Sequence, residues 1–355
     1  MKRGLRILCL GLIAVAVLCA GCSFFSDGGR TVVRVLNWGD YIDPRAITMF
    51  EDENPDIKLS LTTTDSNEAM YVSAATEDTQ IDVVIPSEYM VQRMMREDML
   101  AELDHDLLPN YRYVAQFTEE RCGYDPDGVY SVPYAWGTFG ILYNEELVDE
   151  PPEGWDVLFS PQYAGSILMY DRIRDSLAAA LLELGYSINT TGDEEIAEAS
   201  RLLIDQKPLV LAYGTDDLRM SMTNGSAAIA VMYAGDAVYA MEDNEALKYV
   251  IPQEGANIFV DSMAVLASTD VYDEALRFIN FMLRPDVAGM NAAYTGYSTP
   301  EEAALPYVAA EYPELLENNA FLPDPAELVN CEYFIPLSKE DMKKYELAWL
   351  EVKVA

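Results

Sequence analysis

Val32-Val33-Arg34-Val35-Leu36-Asn37-Trp38-Gly39-Asp40-Tyr41 is a β-branched run that ends abruptly in an indole, a carboxylate and a phenol. A run of this length and composition reads as a buried strand. In open α/β sheets, ligands settle in the crevice beyond the carboxyl ends of the strands. Trp38, Asp40 and Tyr41 at such an end offer two π faces and one counter-charge, the groups that hold an organic cation. The same aromatics serve equally well as the edge of an ordinary core, so the rest of the chain has to decide.

Working outward, strands and helices alternate. Strand Val32–Leu36 is followed by a helix over Pro44–Glu53, a strand over Ile57–Thr62 and a helical stretch from Ser66. Ile81–Ile85 reads as a buried strand stopped by Pro86-Ser87, and Met90–Leu100 as a helix whose methionine stripe is core packing rather than a cofactor box. Val129–Leu142 is extended and aromatic, a crossing between two units. The second unit contains strand Gly165–Met169, helix Ser176–Leu184, acidic helix Asp193–Ile204, a helix near Asp216–Met222 and strand Ala227–Tyr233. A strand then begins at Asp261, and a helix over Asp273–Leu283 is stopped by Arg284-Pro285. This alternation predicts an α/β fold with a largely parallel sheet. Two such units joined by extended segments predict two lobes with a ligand cleft between them, closing by hinge motion.

The N-terminus is a processing segment. Lys2, Arg3 and Arg6 precede an apolar run from Ile7 to Ala20, and Gly21-Cys22 follows. The layout over residues 1–21 is that of a lipoprotein signal peptide, with Cys22 the residue that would carry the lipid. Leu18 stands one place earlier than the usual leucine, because Cys19 occupies the third position before Cys22. Residues 22–30 read as a tether. Three basic residues and no acidic one leave with the signal, taking the formal charge from −37 to −40. So acidic a chain repels nucleic acid and anionic membrane surfaces, and attracts cations. Once Cys22 is lipidated, the mature chain keeps Cys122 and Cys331, a pair that could be a disulfide and is read here as two small buried thiols. A lone His105 leaves no histidine metal site and no Ser/His/Asp or Cys/His constellation, so neither a metal, a cofactor nor an enzyme is expected.

Polar and aromatic groups recur where strands end: Trp38-Gly39-Asp40-Tyr41, Ser87-Glu88-Tyr89, Asp171 through Asp175, Tyr233-Ala234-Gly235-Asp236, Phe259-Val260-Asp261-Ser262, and Gly296-Tyr297-Ser298 in a late loop. A phosphate or carboxylate ligand would need arginines, lysines or helix N-termini, and a metal would need clustered carboxylates without the aromatic frame. A sugar could use the rings but would want Asn, Gln and Arg beside them. An alkyl-ammonium uses both features, with rings along its methylenes and carboxylates at its charged ends. An organic cation ranks first and a sugar second.

Leu36 to Tyr41, Ser66-Asn67-Glu68, Asp82 to Ser87, Val132-Pro133-Tyr134-Ala135-Trp136-Gly137, Leu184 to Thr191, Phe259 to Ser262, Phe278 to Pro285 and Gly296 to Pro300 together make the chain, from about Thr31 on, resemble the spermidine/putrescine-binding proteins of bacterial polyamine ABC transporters. The resemblance implies a periplasmic-binding-protein type II fold. It places one lobe at 31–137 plus 260–305 and the other at 138–259 plus 306–355. It implies polyamine capture outside the cytoplasm, delivery to ABC permease subunits, a membrane anchor through lipid and a monomeric chain. The ligand set it implies is Trp38, Asp40, Tyr41, Ser87, Tyr89, Asp175, Tyr233, Asp236, Phe259, Asp261 and Tyr297. Asp175 and Asp261 would hold amino groups, and Asp236 resembles the putrescine-preferring branch. Tyr233 and Phe259 stand where spermidine binders commonly carry tryptophans, Arg172 where they can have aspartate and Phe334 where they can have glutamine. If the match slips by one near Tyr170–Arg174, Asp171 is the contact instead. Other readings are a receptor for another small cation or solute, or a polyamine sensor without transport.

The anchor is testable directly. In a bacterial host, Cys22→Ser should release the protein from the membrane fraction or leave an unprocessed precursor. Correct cleavage with unchanged membrane retention would show that the signal is of another kind.

Overall fold

The computed structural model describes residues 29–76, 80–215 and 217–355. The signal segment, Cys22 and most of the tether lie outside them. Strand β1 (Thr31–Trp38) starts one residue before Val32 and runs two beyond Leu36, taking in Trp38. Helix α1 (Pro44–Glu53) has the expected bounds, because Pro44 pre-sets the first turn and the Asp43 carboxylate accepts from the Arg45 N–H. Then come β2 (Ile57–Thr64), α2 (Asn67–Ala74), β3 (Val83–Val84), α3 (Glu88–Arg96), α4 (Ala115–Arg121), β4 (Val132–Asn144), β5 (Ile167–Tyr170), α5 (Ile173–Glu183) and α6 (Asp193–Gln206). They are followed by β6 (Val210–Gly214), α7 (Leu218–Thr223), β7 (Ile229–Tyr233), α8 (Ala234–Asp243), β8 (Leu247–Val250) and β9 (Asn257–Val265). Last are α9 (Tyr272–Met282), α10 (Pro285–Thr295), α11 (Leu305–Glu311) and α12 (Lys339–Val354).

Several boundaries move for identifiable reasons. Helix α3 starts at Glu88 rather than Met90 and stops at Arg96 rather than Leu100, since Asp98 takes a left-handed φ of +55° that no helix continues. Strand β9 starts at Asn257, not Asp261, so Phe259 and Asp261 lie inside a strand instead of at its end. Helix α5 starts at Ile173 rather than Ser176, which puts Asp175 in its first turn. Helix α10 begins at Pro285, the same residue that ends the preceding helical stretch in sequence, because proline fits a first helical turn as well as it closes off a previous one.

The sheet order is β2-β1-β3-β9-β4-β7-β5-β6, with β8 also on β4. β1 pairs parallel with β2 and β3, and β5 parallel with β6 and β7. Between these parallel halves, β4 runs antiparallel to β9, β7 and β8, and β9 antiparallel to β3. The largely parallel sheet expected from the alternation is therefore mixed. Two long strands make the difference: β4 is buried at all of its positions and carries the chain from one α/β half to the other, and β9 returns it. Apolar residues gather accordingly. One cluster packs α5, α6, α8 and α12 around β4, β5 and β7. Two more pack α1, α3 and α9 around β1, β3 and β9.

Candidate functional site

The antiparallel register of the crossing strands builds the site. Ala135 lies opposite Asp261 and Gly137 opposite Phe259 on β4–β9, while Phe139 lies opposite Tyr233 on β4–β7. Paired residues share a face of the sheet, as do residues two apart along one strand. Phe259, Asp261, Ala135 and Gly137 thus share one face, and the small side chains on β4 leave room above it. A Cβ on Gly137 would come within 3.2 Å of the Phe259 and Tyr297 rings, and one on Gly235 within 2.5 Å of the Tyr297 ring. Glycine at both places lets Tyr297 lie down on the sheet.

Four rings form a continuous row there. Tyr41 meets Tyr297 at a centroid distance of 5.6 Å, Tyr297 meets Phe259 at 5.5 Å, and Phe259 meets Tyr233 at 5.4 Å, all edge to face. Each end of the row carries a buried carboxylate. The Tyr41 hydroxyl donates to Asp261 Oδ2 at 2.6 Å, and the Tyr233 hydroxyl to Asp175 Oδ1 at 2.6 Å. Ser87 Oγ donates to the other Asp261 oxygen at 2.6 Å, and Ser87 is itself fixed by Asn67, which accepts from its N–H and donates to its hydroxyl.

The two carboxylates differ in surroundings. Burial pushes both upward. For Asp175 the Tyr233 hydroxyl, then Arg172 and Arg174, pull back down. For Asp261, burial lifts it to about 6 against the pull of Ser87 and Tyr41. Its partners are hydroxyls, and among the described residues no basic side chain acts on it. A desolvated carboxylate held only by neutral donors is an incomplete pair that an external cation would complete.

The remaining expected residues fall around this row. Trp38 donates its indole N–H to the Ile85 carbonyl at 2.9 Å, which holds it beside the Pro86-Ser87 segment. Tyr89 lies across from Phe334 at 6.4 Å, with the Arg174 guanidinium 4.0 Å from the Phe334 centroid. Asp236 sits in the first turn of α8, directly after Gly235. Asp40 is exposed in a left-handed turn, φ +47°, and its charge reaches Tyr239 and Tyr294. Asp171, the alternative to Asp175, points elsewhere: it accepts from Lys353 of α12 at 2.6 Å. Arg172 lies 5.8 Å from the Tyr170 ring.

Sequence reading named Asn67, Tyr134, Gly137 and Gly235 within motifs without giving them roles; the Tyr134 hydroxyl donates to the Tyr41 carbonyl. Small residues opposite aromatic ones across a strand pair are the signal that finds the glycines, and it needs the register. Cys122 and Cys331 are both free; Cys122 is buried, its thiol pushed up to about 12, while Cys331 is only half-buried. Among the described residues no group of three or more His, Cys, Asp or Glu could hold a metal, and no helix is long and apolar enough to cross a membrane. In a separate groove lined by Arg34, Tyr71, Asp82 and Glu97 among others, two of the carboxylates are already engaged, Asp82 by Arg34 and Thr269, Glu97 by Tyr71 and Arg93.

The raised Asp261 acid carries a stability signature. Its folded value lies above the unfolded one, so its stabilising contribution is complete below about pH 4 and is lost as pH rises through about 6. Above that, the charged group is a burden on the ligand-free fold. Asp261→Asn should therefore raise ligand-free stability at pH 8 by on the order of 1–2 kcal/mol, with the gain shrinking by pH 5. Thermal melts at the two pH values check this, and a lower melting temperature than wild type at pH 8 would contradict it.

Residues 45–317 match the family described as bacterial extracellular solute-binding protein. Over 324 residues the chain is 33% identical to the spermidine/putrescine-binding periplasmic protein of Escherichia coli (strain K12), covering 91% of this chain and 92% of that one. Among solved structures it resembles the spermidine/putrescine ABC transporter substrate-binding protein PotD from Streptococcus pneumoniae, with TM-score 0.80, 37% identity and coverage of 91% and 99%. It also resembles the Tp0655 (TpPotD) lipoprotein of Treponema pallidum, with TM-score 0.81, 25% identity and coverage of 91% and 100%. The family read from the motifs is met on both sequence and fold: the chain belongs to the bacterial extracellular solute-binding proteins.

Proposed function

We propose that this protein captures a short polyamine outside the cytoplasm and delivers it to the permease of an ABC transporter. The observation that carries the reading is the row Tyr41–Tyr297–Phe259–Tyr233 with a buried carboxylate at each end. A diamine has the same plan: an apolar chain between two ammonium groups. Rings cover methylenes and attract cations, while the end carboxylates give charge-assisted hydrogen bonds. In this reading Asp261, with Ser87 and Tyr41, takes one ammonium, and Asp175 with Tyr233 takes the other. Trp38 and Tyr89 close the walls, and Asp40 and Asp236 add negative charge that steers the cation inward. The names of the relatives support the same ligand class.

The site draws on both halves of the fold. Tyr41 and Ser87 come from the side of β1 and α3, Asp175 and Tyr233 from the side of α5 and β7, and Phe259 and Asp261 from the strand between them. A ligand touching all of them binds the closed arrangement better than an open one, and so shifts the population toward closure. A closed, loaded form is what a permease can tell from an empty one. Lipid attachment at Cys22 would keep the monomeric chain at the outer face of the cell membrane, in keeping with a lipoprotein among its structural neighbours.

Arg172 bears on ligand length. A third ammonium beyond the Asp175 end would meet the positive charges of Arg172 and Arg174 and the apolar ring of Phe334, none of which accepts a hydrogen bond. A short diamine is the better fit.

Calorimetry on the mature chain should give a dissociation constant of micromolar or tighter for putrescine, about −8 kcal/mol. No heat with putrescine, cadaverine or spermidine at millimolar concentration would sink the reading. Asp261→Ala should weaken binding by about thirtyfold or more, the cost of an ammonium left without its partner.

Arg172→Asp should improve spermidine binding more than putrescine binding at one fixed salt concentration. A wild type that already prefers spermidine tenfold, or a ratio that Arg172→Asp leaves unmoved, would refute the diamine argument while leaving the polyamine reading intact.

A further inference from the structure

Glu88 is the first residue of α3, and its side chain is almost wholly buried, 1% exposed. Its neighbour Ser87 donates to Asp261, and its own Oε2 accepts the N–H of Val260, the residue before Asp261, at 3.0 Å. The cap of α3, Ser87, and its first residue, Glu88, thus grip two consecutive residues of β9. The second oxygen, Oε1, is sealed from solvent and has no hydrogen-bond partner. An ionised carboxylate with one oxygen bare in the protein interior is expensive, and a protonated one much less so.

The groups that face Glu88 come from every element packed around it. Asp261 of β9 pushes its proton affinity up and Arg174 of α5 pulls it down. Tyr89 of α3, Cys122 and Tyr124 after α4, and Tyr333 of the C-terminal segment also feel its charge. Burial pushes Tyr89 and Tyr124 well above the usual phenol range, Cys122 to about 12 and Tyr333 to about 12, so all four stay neutral near pH 7. Burial has lowered Arg174, yet it starts from the guanidinium range, and it remains a cation held by the Ile335 carbonyl and Asn189. Of these groups, Asp261 and Glu88 are the two whose protons are in play near neutrality, at about 6 and about 8, and the charge on Asp261 acts on Glu88.

We propose that Glu88 is a proton-exchanging positioning residue of the ligand seat, holding a proton while the cleft lacks a cation and releasing it when an ammonium settles on Asp261. The inference rests on the cationic-ligand reading of that seat. The ammonium cancels the push that Asp261 exerts on Glu88 and adds its own attraction for negative charge. The carboxyl O–H then breaks, its proton passes to buffer, and the carboxylate that remains still accepts from Val260. The carbonyl oxygen of the protonated group makes the same bond, so β9 stays gripped in both states. Since the complex holds fewer protons than the free protein, affinity should rise with pH by about threefold per unit around neutrality.

The test is calorimetric titration of putrescine into the mature protein at pH 7.5, in buffers of widely different ionisation heat. The observed enthalpy should depend linearly on the buffer heat, with a slope of about 0.5 proton released. Glu88→Gln, which can still accept from Val260, should bind with a slope near zero. A near-zero slope in wild type, or an unchanged slope in Glu88→Gln, overturns the proposal. Should Glu88→Gln not fold, wild type decides alone: release present at pH 6 but gone at 7.5 assigns the proton to Asp261 and overturns it, whereas release persisting at 7.5 supports it. Absence of any binding heat overturns the ligand reading itself, a result distinct from heat without proton release.

Discussion

A carboxylate buried in the middle of a strand, with hydroxyls for partners, is the constraint on which this site turns. Asp261 lies where β9 crosses between the two halves of the sheet, and its oxygens are occupied by Tyr41 and Ser87. Those bonds orient the group and offset part of its desolvation, but hydroxyl donors bring no net charge. The protein keeps an acid that its own fold does not neutralise. Such an arrangement costs stability and persists where function uses it.

The rest of the geometry follows from holding that acid in place. β4 supplies Ala135 and Gly137 opposite Asp261 and Phe259, and so hollows out the face on which the carboxylate sits. Gly235 lets Tyr297 approach, and Tyr297 joins the ring of one half to the rings of the other. At the far end Asp175 differs in kind, since Arg172 and Arg174 already lend it positive charge. The two ends are therefore unequal: one acid has hydroxyl partners alone and the other is partly satisfied by positive charge. A ligand with two equal ammonium groups gains most from the Asp261 end.

Much of this was legible in the chain. The run Val32–Tyr41 and the recurrence of acids beside rings pointed to a cation, and α1 was bounded correctly because Asp43 and Pro44 are local signals. What could not be read was set by pairing between distant segments. That Phe259 and Asp261 lie inside β9 rather than at its end depends on β4, more than a hundred residues earlier. The mixed sheet has the same origin, since antiparallel crossing strands look, in sequence, like any buried apolar run. Asp171, Arg172 and Asp175 lie within five positions, and only the start of α5 at Ile173 and the pull of Lys353 separate the exterior acid from the buried one. Glu88 was quoted among the strand-end groups, but its role depends on meeting Val260, a contact across more than 170 residues.

The central claim is that one chain of methylenes lies along the four rings with its charged ends on Asp261 and Asp175. A crystal structure of the mature protein with putrescine measures this most directly. One amino nitrogen should lie within hydrogen-bond distance of Asp261 and the other of Asp175, with the carbon chain against Tyr297 and Phe259. Putrescine bound with neither nitrogen on these carboxylates, or seated away from the ring row, would contradict the account.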